Sequence, residues 1–99
     1  MQNVSVRREK EMGEPIAEFE GGIDLRIIDN APKMSSCLRF IDPYGNLVIN
    51  QLQLPVLISE LEDMSRHTAD FRFKEHIAKL VRFLKQSEET HVYVRFIGD

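Results

Sequence analysis

The first half of the chain is patterned mainly with a period of two, and the second half opens on a period close to 3.6. Val4 and Val6 alternate inside a charged opening, Arg7-Arg8-Glu9-Lys10-Glu11, which predicts a flexible arm over residues 1–14 or one added edge strand. Pro15 to Glu20 reads as a short strand with Ala17 and Phe19 on one face, and Gly21-Gly22 as a turn that needs glycine's tolerance of positive φ. Ile23, Leu25 and Ile27 then alternate with Asp24, Arg26 and Ile28, the signature of a half-buried strand, before the loop signal Asp29-Asn30-Ala31-Pro32. Ser36 to Asp42 reads as a third strand, Leu38 and Phe40 facing in and Cys37, Arg39 and Ile41 facing out. Asp42-Pro43-Tyr44-Gly45-Asn46 is a turn sequence and Leu47-Val48-Ile49 a returning strand, so a β-hairpin is predicted over residues 37–50.

From Pro55, well suited to a first helical turn, Val56, Leu57, Ile58, Leu61 and Met64 fall at helical spacing. Asp70 is the predicted N-cap of a second helix. Its stripe is Phe73, Ile77, Leu80, Val81 and Leu84, and the rest of its surface is basic. After a polar loop, Ser87-Glu88-Glu89-Thr90, a last strand begins at His91, with Val92, Val94 and Phe96 on one face and Tyr93, Arg95 and Ile97 on the other. Two amphipathic helices must bury their stripes against something, and the apolar face of the sheet is the available surface. The expected fold is therefore α+β: an antiparallel sheet of four to five strands, two consecutive helices on one face, and the C-terminal strand returning to the sheet. Residues 15–99 form one domain.

Composition narrows the function classes. The 99 residues are 42% hydrophobic and 29% charged, with a net charge of −3, which disfavours a dedicated duplex-DNA binder because phosphate neutralisation needs a basic surface. The single cysteine, Cys37, suits a reducing compartment and cannot supply a paired-cysteine metal site. No signal-peptide pattern or transmembrane run is apparent, and a cytoplasmic protein is expected.

Candidate chemistry is sparse. The chain has no phosphate-binding glycine loop, nucleophile elbow or paired-histidine zinc motif. Asp63, His67 and His76 are metal-capable residue types, but their spacing lacks a supporting second shell, so they read as solvated side chains. Cys37, on a predicted strand with nothing to lower its pKa, reads as an inert thiol. No metal or cofactor is expected. Two surfaces remain. The outer sheet face would gather Arg26, Arg39 and Arg95 beside Ile28, Ile41, Ile97 and Tyr93, which is either scattered exposure or a contact surface. On the second helix, Arg72, His76, Lys79 and Phe83 form a basic strip beside the core stripe.

The run Phe40-Ile41-Asp42-Pro43-Tyr44-Gly45-Asn46, then Asn50-Gln51-Leu52-Gln53 and Glu60-Leu61-Glu62, and the closing His91-Val92-Tyr93-Val94-Arg95-Phe96-Ile97-Gly98-Asp99, resemble small uncharacterised bacterial proteins. The resemblance implies a bacterial, stand-alone, cytoplasmic protein and brings no functional residue with it. The expected function is a non-enzymatic protein-binding or regulatory module, with another protein or a second copy of itself as partner. One alternative is a weak single-stranded nucleic-acid binder using Tyr93, Arg26, Arg39 and Arg95 on the sheet or the basic strip of the second helix, which the acidic balance disfavours. The other is a small enzyme whose site is not visible in sequence.

Overall fold

The computed structural model describes residues 4–87 and 92–98. Its regular elements are β1 (Val4–Lys10), β2 (Pro15–Glu18), α1 (Arg26–Asp29), a 3-10 turn (Leu38–Phe40), β3 (Asn46–Ile49), α2 (Leu54–Arg66), α3 (Phe71–Lys85) and β4 (Val92–Gly98). The α+β architecture expected from the pattern is present: a four-stranded sheet in the order β2-β1-β4-β3, every pair antiparallel, with the helical hairpin buried against one face.

Both long helices follow the sequence signals. The Asp70 side chain caps α3 by accepting from the N–H groups of Arg72 (2.9 Å) and Phe73 (3.1 Å). The stripe Phe73, Ile77, Leu80, Val81 and Leu84 is buried, in one cluster with Leu54, Leu57, Ile58 and Leu61 of α2. Val56, assigned to the α2 stripe by spacing, is exposed instead, and Leu54 takes its place in the core. The sheet contributes Val4, Val6, Ile49, Val94 and Phe96 to the same core. Burial of each large apolar side chain stabilises by about 1.5–3 kcal/mol, which is what fastens the two layers together.

Three local expectations are corrected. The N-terminal segment is neither an arm nor an edge: β1 lies between β2 and β4, with Val4 and Val6 fully buried. Residues 23–28 are not a strand. Ile23 makes one bridge to Val4, then the Asp24 carboxylate accepts from the Arg26 N–H (2.9 Å) and turns the chain into the single-turn α1. Ile23 and Ile27, four apart, satisfy strand and helix periods equally, so both are buried in either case.

Nor is there a hairpin over residues 37–50. The Asp42–Gly45 turn does form, with the Gly45 N–H donating to the Asp42 carbonyl and the Tyr44 N–H to the Asp42 carboxylate. The chain before it is the 3-10 turn, however, and β3 pairs with β4. The cause is Glu60 on α2. Its carboxylate accepts from three consecutive backbone N–H groups, those of Ser36 (2.5 Å), Cys37 (3.1 Å) and Leu38 (3.0 Å), so these donors cannot join a strand ladder. The facing changes as a result: Leu38 is buried as expected, but Cys37 and Ile41 are buried as well and Phe40 is half-exposed. The start of the last strand at His91 lies outside the described residues.

Candidate functional site

The outer face of the sheet is built by cross-strand register. Arg7 pairs with Arg95, and Arg95 with Val48 of β3; Glu9 pairs with Tyr93; Ser5 and Asn46 flank Ile97. Paired residues of antiparallel strands share a face, so Arg7, Glu9, Val48, Tyr93, Arg95 and Ile97 lie together on the side away from the helices. Two arginines directly opposite each other repel. Here Glu9 offsets that repulsion: its carboxylate accepts from Arg7 Nε (2.6 Å) and Arg95 Nε (3.0 Å), and its side chain is almost wholly covered. Burial pushes the Glu9 carboxyl up, but hydrogen bonds from Arg95 and Arg7 outweigh it, leaving Glu9 below the usual carboxylate range. The result is an ion-paired Arg–Glu–Arg cluster that bridges β1 and β4. Beside it are Val48, which is 42% exposed, and the half-buried Tyr93 and Ile97.

Of the residues expected on this face, β4 brings Tyr93, Arg95 and Ile97. The other four are elsewhere, because the segments that carry them are not strands. Arg26 and Ile28 belong to α1, Arg39 lies in the 3-10 turn with its guanidinium 4.6 Å from the Phe40 ring, and Ile41 is core. Arg7, Glu9 and Val48 take their places. Two valines alone marked β1 as a strand, and the pattern paired β3 with residues 36–42 rather than with β4, so it could not place these three.

The basic strip on α3 is also divided. Arg72 and Lys79 are exposed, but His76 is half-buried, its Nε2 accepting from the Asp24 N–H (2.9 Å) and its ring edge-on to Phe19. Burial holds the His76 imidazole below its usual range, the Asp24 charge opposing and Arg26 and Lys79 reinforcing. Phe83 is covered by Phe19 and by Arg8, whose guanidinium lies 4.7 Å from the ring and donates to the Phe83 carbonyl at the α3 C-terminus.

A concavity of about 680 Å³ opens in the helical layer between α1, the following loop, α2 and the start of α3. Phe73, Met64, Met34 and Pro32 supply its apolar lining, and Arg26, Glu60, Asp63 and His67 most of its polar lining. Arg26 is fixed there, paired to Asp24 (2.7 Å) and Asp70 (2.6 Å) and stacked 4.5 Å from the Phe73 ring centroid. Those hydrogen bonds hold both aspartates below their ordinary range. Among the described residues, no group of three His, Cys, Asp or Glu side chains converges to hold a metal ion. Cys37 is buried, and burial, followed by the nearby Glu60 charge, pushes its thiol up.

The fold and its surfaces define a two-layer α+β protein with an open sheet face. No protein-family model matches the chain, and neither the curated proteins nor the solved structures contain a significant match. No helix among the described residues is long and apolar enough to cross a membrane.

Proposed function

We propose that the chain is a non-enzymatic protein-binding module that docks a second copy of itself on the outer face of its sheet. The observation that carries this reading is the Arg7–Glu9–Arg95 cluster, tied together by hydrogen bonds beside Val48, Tyr93 and Ile97. Interface cores are enriched in aromatic residues and arginine, and side chains already ordered lose little entropy on docking. A two-fold dimer uses the same patch on both subunits and so needs no second surface. A protein partner is favoured over single-stranded nucleic acid because Arg26 and Arg39 lie off this face and the charge of Arg95 is shared with Glu9. The setting we propose is the bacterial cytoplasm, supported by the resemblance above and by the lone buried Cys37.

The test is particle mass by light scattering across a concentration series. The wild-type chain is expected to dimerise, and Val48→Asp or Ile97→Asp to yield monomers with an unchanged circular dichroism spectrum. A wild-type monomer at every concentration overturns the reading.

A further inference from the structure

The groove in the helical layer shares no residue with the sheet face. At about 680 Å³ it lies within the range of roughly 300–1,000 Å³ typical of ligand-binding clefts. Two of its apolar residues are methionines, the side chains that adapt best to varied apolar partners. Met34 stands 92% exposed at the rim, and Met64 is part-buried against the core beside Phe73.

The charge around the groove is net negative. Asp24, Glu60, Asp63 and Asp70 supply four carboxylates, and Arg26 and Arg66 two guanidiniums, each engaged with aspartate. Lys33, between the lining residues Pro32 and Met34, offsets part of this and leaves a net negative charge beside an apolar floor. His67 adds a directional contact: its Nδ1 lies 2.8 Å from the Asp63 carbonyl, which can only accept, so Nδ1 is the donor and Nε2 is left for a ligand. A neutral apolar ligand would ignore the carboxylates, and an acidic one would be repelled by them.

We propose that this groove is a second docking site, and that its occupant is a basic amphipathic segment of a partner protein, apolar side chains seated on Met34, Met64 and Phe73 with lysine or arginine against Asp63 and its neighbours. This goes beyond the sheet-face dimer and does not depend on it.

The probe is a fluorescein-labelled helical peptide made only of leucine and lysine, followed by fluorescence anisotropy, with the leucine–glutamate peptide as counterpart. The lysine peptide is expected to bind at least about tenfold tighter than the glutamate one, and less tightly as salt rises. Asp63→Lys is expected to weaken it about three- to fivefold and to flatten the salt dependence. Met34→Asp should weaken it further. Both side chains are exposed, so circular dichroism should show both variants folded. Val48→Asp, on the sheet face, should leave the peptide affinity unchanged. Absence of binding, equal binding of the two peptides, or affinity indifferent to both Asp63→Lys and Met34→Asp overturns the proposal.

Discussion

Replacing Glu60 tests whether one carboxylate holds the irregular 30s segment in place. In Glu60→Ala, three backbone donors lose their acceptor. Ser36 is exposed, so water replaces the carboxylate there at little cost. The Cys37 and Leu38 donors are part-buried, and an orphaned donor costs about 1–3 kcal/mol, giving a loss of about 2–6 kcal/mol. In a domain of this size each kcal/mol is worth about 4–8 °C, so the melting temperature should fall by about 10 °C or more. Glu60→Gln separates this hydrogen-bonding role from simple packing. Its carbonyl oxygen can still serve Cys37 and Leu38, while its amide turns a donor toward the Ser36 donor. A smaller loss, about 1–2 kcal/mol, is expected. Urea unfolding at constant m-value measures both. The reasoning fails if Glu60→Ala costs less than about 1 kcal/mol, or if the glutamine variant is the less stable of the two.

Other positions give independent checks. Gly98→Ala would place a Cβ 2.5 Å from the Asp42 carbonyl oxygen, against backbone that cannot rotate aside, so a loss of about 1–3 kcal/mol in chemical unfolding is expected. His76 must be neutral to accept the Asp24 N–H, and its folded pKa lies below the unfolded 6.5, so its contribution is present above pH 6.5 and is lost as pH falls through the folded pKa; melting temperature followed from pH 7 to 5 should show this loss, and His76→Gln, which keeps an acceptor, should flatten it. Deleting residues 92–99 removes the strand that joins β1 to β3, and circular dichroism should show no cooperative melt; a cooperative transition would refute the role assigned to β4.

The legible parts of this fold are those whose side chains alone decide the structure. The stripes of α2 and α3 and the alternation of β4 are long, apolar and regular, and their burial follows directly. The Asp70 cap was legible because its bond is local, two and three residues away. The segment 36–42 was not, because its conformation is set by a carboxylate 22 to 24 residues distant. β1 was obscured by charge at positions where aliphatic residues are expected. Arg8, paired with the inward-facing Val94, extends to Ser87 and the end of α3 (2.8 Å to the Ser87 hydroxyl), and Glu9 is buried only because Arg7 and Arg95 cover it. The outer-face site was therefore half legible: β4 revealed Tyr93, Arg95 and Ile97, and β1 concealed Arg7 and Glu9.

The sheet order explains why both candidate surfaces depend on distant parts of the chain. β1 and β4 are neighbours at the centre of the sheet, so the ionic row on the outer face exists only once residues more than eighty positions apart have paired. Such pairing carries a large loop-closure entropy, which the helical hairpin lowers by forming locally and bringing β4 back toward β1. The segment between β2 and β3 has little regular structure and is tied down from outside by polar side chains: His76 to Asp24, Asp70 to Arg26, and Glu60 to residues 36–38. All three anchors come from α2, α3 or the cap between them. The helical hairpin thus has two tasks that the sequence pattern separates cleanly. Its apolar stripes build the core, while its polar flank folds the loop that forms one wall of the groove. A surface made this way can change by loop substitution without disturbing the core, which is the arrangement expected where binding specificity resides on a loop held by a rigid scaffold.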